Sequence, residues 1–136
     1  MKKIIYIDMD NVLVDFKTGI AKLSKDVQVE YEGHLDDVPG IFSLMEPMEG
    51  AIDAFNKLSQ SEKYDVYILS TAPWDNSTAW SAKVEWVKKY LGVHGYKRLI
   101  LSHHKNLNAG DYLIDDRTKN GADKFYRQVK FERRIK

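Results

Sequence analysis

The sequence predicts an α/β fold built on a doubly wound parallel sheet, and three observations carry that prediction. Short apolar runs recur with the look of buried strands, helical patterns alternate with them, and polar residues stand just past the end of each run. In open parallel sheets, ligands bind outside the carboxyl ends of the strands, where loops from several strands converge. Polar clusters at four strand ends would meet there.

In chain order, the first run is Lys3–Ile7, ended by Asp8 and Asp10. The stretch from Asp15 to Glu49 interrupts the first crossover. It opens amphipathic, with Phe16, Ile20 and Leu23, and turns polar through Val38-Pro39-Gly40. An insertion there would lie over the strand ends, so we expect one domain, 1–136, with a small cap at about 15–49. Ala51–Leu58 reads as a helix with Ala51, Phe55 and Leu58 on one face. Val66–Leu69 is the second strand, followed by Ser70 and Thr71. Thr78–Leu91 is the second long helix, with Trp80, Val84, Val87 and Leu91 read as its apolar stripe and Gly92 as its stop. Leu99–Leu101 precedes Lys105, and Tyr112–Ile114 precedes Asp115 and Asp116. Gln128–Lys136 alternates and then turns basic, an edge strand with a tail.

Composition narrows the class. A chain of 136 residues with 43% hydrophobic and 30% charged residues suits one folded domain. Lys plus Arg total 21 against 20 for Asp plus Glu, without the basic excess of a general nucleic-acid binder. The absence of cysteine excludes disulfides, thiolate zinc sites and a cysteine nucleophile, so any metal needs oxygen or imidazole ligands. His103 and His104 are adjacent, and with no third histidine at ligand spacing they read as loop residues. No segment approaches the roughly 18 apolar residues of a membrane span. We expect a cytoplasmic protein.

Asp8-Met9-Asp10-Asn11-Val12, directly after a buried strand, is the strongest chemical signal. Two carboxylates so spaced can divide the labour of phosphoryl transfer, one attacking and the other reaching the leaving group. Magnesium beside Asp8 would keep it ionised and ease its repulsion from phosphate, while Asp10 stays protonated as an acid.

The motif resembles the first motif of haloacid dehalogenase-like phosphatases. Ser70-Thr71, Lys105 and Asp115-Asp116 resemble the second, third and fourth in the same order. Within that superfamily the likeness is to the deoxyribonucleotidases. It is carried by the run from Asp8 to Phe16, by Phe42-Ser43-Leu44-Met45-Glu46-Pro47-Met48-Glu49-Gly50-Ala51, and by Leu113-Ile114-Asp115-Asp116-Arg117. Pro73 and the Glu85-Trp86-Val87 helix ending at Tyr90-Leu91-Gly92 extend it. Asn11 stands where the family has glycine, and the cap is shorter than in the animal enzymes.

The resemblance implies a magnesium-dependent phosphomonoesterase for deoxynucleoside 5′ or 3′ monophosphates. Asp8 would be the nucleophile and Asp10 would protonate the leaving oxygen and then activate water. Thr71 and Lys105 would bind phosphate. The metal ligands would come from Asp8, Asp10 through its backbone carbonyl, and Asp116, with Asp115 behind it. Phe16 and Trp74 would contact the base. The expected partner is a small-molecule phosphate ester, with no nucleic-acid polymer and no membrane; a homodimer stays open. The alternatives are a sugar phosphatase of the same superfamily, a phosphate-binding module without turnover, and a receiver domain. In a receiver the acid pair follows the first strand and the lysine the last, whereas here acids follow Lys105.

Overall fold

The computed structural model describes residues 1–117, 119–125 and 128–130, without the side chains of Gln128 and Lys130. Five strands form one parallel sheet: β1 (Lys3–Ile7), β4 (Tyr64–Ser70), β5 (Leu99–Leu101), β6 (Tyr112–Asp115) and β7 (Gln128–Lys130). Their spatial order is β5-β4-β1-β6-β7. In register, Ile5 lies between Val66 and Tyr112, and Ile68 lies opposite Leu99. β7 pairs with β6, Ile114 opposite Val129, so the expected edge strand is present over Gln128–Lys130. The basic tail beyond it lies outside the described residues.

Period-two side-chain alternation splits the sheet between two cores. Ile5, Ile7, Val66 and Ile68 enter the larger core, while Tyr6, Leu69 and Leu113 join Ala122 and Phe125 on the other face. β1 is therefore buried on both faces, which explains its nearly continuous apolar run. The chain leaves β1 to build β4 and β5 on one side, then returns to place β6 on the other. The order reverses around β1, so a crevice opens beyond its carboxyl end.

Helix α3 (Ala51–Gln60) buries Phe55, and α4 (Ser77–Tyr90) buries Ala79, Ala82, Lys83, Trp86 and Val87. The stripe expected on α4 holds at Val87 and Leu91, which are buried, and fails at Val84. Trp80 is half-buried and Val84 faces out, whereas Trp86 is buried and donates its Nε1–H to the Met45 carbonyl at 3.1 Å. Gly92, at φ +52°, follows the end of α4 and opens the short helix α5 (Gly92–Gly95).

Between β1 and α3 the chain forms the antiparallel pair β2 (Val14–Asp15) and β3 (Glu46–Pro47), and between these α1 (Phe16–Ile20), α2 (Lys25–Glu30) and two 3-10 turns, Leu35–Asp37 and Ile41–Leu44. Gly19 lets α1 approach the second turn, since a Cβ there would lie 2.7 Å from Met45 Cγ. Four hydrogen bonds tie this segment to the α4 region. Asn76 Nδ2 donates to the Asp36 and Val38 carbonyls, both at 2.9 Å, the Gly40 amide donates to Thr78 Oγ1 at 3.0 Å, and Trp86 supplies the fourth. Val38, Ile41, Phe42 and Met45 also belong to the main core. The segment shares its apolar interior with the sheet.

Candidate active site

Asp8 follows β1 directly, and its amide donates to the Ile114 carbonyl of β6 at 2.9 Å, fixing it at the switch point. The next turn is tight. The Met9 carbonyl accepts from the amides of Val12, Leu13 and Val14, and the Asn11 amide donates to Val14 O at 2.7 Å. Asn11 itself sits at φ +61°, a left-handed conformation that asparagine adopts at lower cost than most residues.

The four expected polar clusters converge. Asp8, Asp10, Thr71, Lys105 and Asp115 line one cleft. Lys105 is 3% exposed and donates to Asp115 Oδ2 at 2.6 Å, with Asp8 Oδ1 at 3.2 Å. Its turn is held from behind, the Lys105 amide donating to the Asn120 carbonyl at 2.7 Å.

Three carboxylates, Asp8, Asp115 and Asp116, each offer an oxygen within 4.8 Å of the others. Both oxygens of Asp115 are already engaged, Oδ2 by Lys105 and Oδ1 by the Arg117 amide at 2.9 Å. Asp116 Oδ1 differs: it is buried and has no hydrogen-bond partner among the described residues. An orphaned carboxylate oxygen beside two other acids is the donor that a hard divalent cation completes, so the set fits a divalent metal ion. The Asp10 carboxylate is not in this group.

Electrostatics follow the burial. Desolvation pushes the Asp8 carboxyl up to about 7; the charges of Asp115 and Asp10 add to it, while Lys105 and Lys83 oppose it. Asp116 is raised as well, first by burial and then by the charge of Asp115. Burial alone would lower the Lys105 ammonium, but Asp8 and Asp115 outweigh it and raise it, so this lysine stays charged.

Thr71 lines the cleft, and its hydroxyl donates to the Ser102 carbonyl at 2.7 Å, so donation to a phosphate requires that proton to swing away. The two aromatic residues are not among the cleft's lining. Phe16 packs edge-on against Phe42, with ring centroids 5.8 Å apart, and Trp74 is 79% exposed beside His103 at 5.9 Å, next to the cleft-lining Pro73.

The sequence reading passed over several residues found here. Asp36 reaches the cleft from the inserted segment, and Arg117, Lys119 and Asn120 form its far wall. Lys83 is fully buried and donates to both oxygens of Asp10. Its signal was a lysine inside an apolar helix face, between Ala79 and Trp86.

Comparison with known proteins adds lineage to this geometry. The family model of the 5′ nucleotidase, deoxy (pyrimidine), cytosolic type C proteins matches residues 31–134. A protein of Vibrio phage KVP40 named "Putative 5′(3′)-deoxyribonucleotidase" is 62% identical over 124 residues, spanning 91% of this chain and 72% of that one. The human cytosolic-type 5′(3′)-deoxyribonucleotidase is 26% identical over 140 residues, spanning 83% of this chain and 70% of that protein. In solved structures, a haloacid dehalogenase-like hydrolase from Streptococcus pneumoniae superposes with a TM-score of 0.59 at 18% identity, covering 95% of this chain and 84% of that one, which speaks to fold alone. The chain belongs to the 5′(3′)-deoxyribonucleotidase family of phosphoric monoester hydrolases, and its fold is haloacid dehalogenase-like.

Proposed function

We propose that this protein is a magnesium-dependent phosphatase that removes phosphate from deoxyribonucleoside monophosphates through an aspartyl-phosphate on Asp8. The observation that carries the reading is the acid cluster against Lys105, with one buried Asp116 oxygen left without a partner among the described residues. Asp8 and Asp116 would hold the ion, the Asp10 backbone carbonyl adding a ligand. When bound, magnesium would offset the repulsion between Asp8 and an incoming phosphate.

The remaining work falls to side chains. Asp8 is a poorly solvated carboxylate, and a nucleophile without its water shell attacks more readily. An Asp8 oxygen forms a bond to phosphorus as the ester P–O bond breaks, and Asp10 hands its proton to the departing oxygen. Asp10 then accepts a proton from the water that attacks the acyl phosphate. Lys105 holds Asp8 and the phosphate as a fixed positive point. The relatives' names support a deoxynucleotide as substrate, and Trp74 offers an exposed indole beside the cleft on which a base could stack.

The test is turnover on a panel of phosphate monoesters, with and without chelator. Deoxyuridine monophosphate should exceed glucose 6-phosphate by about tenfold or more in kcat/KM, as one stacking contact allows. Equal efficiency removes the nucleotide assignment and leaves a phosphatase. Full activity after exhaustive chelation removes magnesium.

A further inference from the structure

Lys83 lies in the middle of α4 with no exposed surface, among the buried residues Ala79, Ala82, Trp86 and Val87. A charge taken out of water is costly unless it is fully paired. This one is. Its Nζ donates to Asp10 Oδ1 at 3.1 Å, to Asp10 Oδ2 at 3.2 Å and to Ser70 Oγ at 3.0 Å, and it lies 4.5 Å from the centroid of the Phe42 ring. An ammonium has three protons, and these contacts use all three.

Lys83 is not among the residues that line the cleft, so its charge does not serve as a phosphate contact. What it reaches is Asp10, whose side chain keeps 22% exposure and does line the cleft. A carboxylate has about four acceptor positions, so one hydrogen bond to each oxygen leaves room for a proton or a leaving group. The anchor on the other side is Ser70, at the end of β4, with no exposed surface. The ring above is Phe42, from the inserted segment. One ammonium thus joins the sheet, α4 and the inserted segment to the carboxylate read as the proton carrier.

We propose that Lys83 is a positioning residue for Asp10, holding its carboxylate in the orientation that meets the departing oxygen. This rests on the reading of Asp10 as proton carrier. As the P–O bond breaks and Asp8 gains its bond to phosphorus, the proton passes from Asp10 to the departing oxygen, and Lys83 keeps its own three. In the phosphorylation half-reaction this role matters only where a proton must be delivered to the leaving oxygen.

That restriction defines the experiment. A deoxynucleoside 5′-monophosphate needs its leaving oxygen protonated, whereas p-nitrophenyl phosphate releases a stable phenolate without help. Single-turnover phosphorylation would be measured with both substrates for the parent, Lys83→Met, Asp10→Asn and the double variant. Lys83→Met should slow the nucleotide reaction about ten- to hundredfold, leave p-nitrophenyl phosphate within about threefold, and leave KM nearly unchanged. In the Asp10→Asn background it should add less than about threefold, because two changes acting through one group are not additive. Equal losses on both substrates, parent-like nucleotide rates, or a full additional loss in that background would overturn the role of Lys83. Should Lys83→Met fail to fold by circular dichroism, Ser70→Ala removes one anchor of the ammonium and carries the same comparison. A leaving-group-dependent loss in that variant is expected; an equal loss or none overturns the proposal. If Asp10→Asn itself shows no leaving-group dependence in an active parent, the reading of Asp10 fails first.

Discussion

At the scale of single residues, the acids at the carboxyl ends of β1 and β6 have different environments and so different expected mutant behaviour. Asp8→Asn keeps the shape of the side chain and removes the proposed nucleophile. Steady-state phosphatase activity should fall by at least about a thousandfold while the circular dichroism spectrum is unchanged. Asp115 and Asp116 are neighbours in sequence but differ in environment. Asp116 has a buried oxygen without a partner among the described residues, whereas both oxygens of Asp115 are engaged by Lys105 and the Arg117 amide. Asp116→Ala should therefore raise the magnesium concentration for half-maximal activity about tenfold or more, and Asp115→Ala by less, with a larger loss of melting temperature. A magnesium titration of the two variants beside thermal melts decides it, and the opposite ranking exchanges their roles. These acids were legible in the sequence because a strand end followed by carboxylates has few bland explanations. Lys83 was not, because a lysine inside a helix reads as a polar break in a stripe until the partner that neutralises it is known.

At the scale of elements, the strands were read nearly to the residue, since their apolar runs are short and bounded by functional side chains. α4 was placed correctly, and of its expected stripe only Val84 faces out. Two sets of apolar residues wind around it, and Val84 belongs to the outer set, in an apolar groove with Tyr96, Leu99 and Leu101. The buried set includes two alanines and a lysine, which a search for large apolar residues overlooks. The loop behind Lys105 could not be read at all, because what shapes it is contact between segments distant from the strand. Gly121 sits there at φ +82°, and a Cβ would lie 2.1 Å from Asn106 Oδ1, on the turn that carries Lys105. Gly121→Ala should cost about 1–3 kcal/mol in denaturant unfolding through backbone strain and displace that turn. Because Lys105 moves with the turn, kcat/KM should fall more than for a glycine-to-alanine change at Gly33, which has positive φ but open space around it. Equal effects at the two positions would show that the Lys105 turn tolerates the change.

At the scale of the whole molecule, the site is a local concentration of charge that the fold must carry, and its cost depends on pH in a definite direction. The Asp8 carboxyl rises from 3.8 to about 7 on folding, so between those values the folded state holds a proton that the unfolded chain has released. Stability from this group is therefore highest below about pH 4 and falls as pH rises through about 7, by a few kcal/mol at most. Asp116 shifts in the same direction and adds to the trend. Lys105 does not oppose it in this window, since its raised value lies above 10.5 and its charge is constant there. Other carboxylates change the absolute profile, so the informative quantity is the difference between the parent and Asp8→Asn. Without metal, Asp8→Asn should melt higher than the parent at about pH 8, and the gap should shrink toward about pH 5 as Asp8 takes up its proton. Saturating magnesium should reverse the order at about pH 8, because an ion bound by the folded state alone stabilises it by mass action and Asp8 is one of its proposed ligands. At about pH 5 the same ion must first displace protons, so its effect on the parent should be smaller. Melting temperatures of the two proteins at both pH values, with magnesium and with chelator, give eight numbers. A gap between the metal-free proteins that does not vary with pH would place the cost of the site on groups other than Asp8.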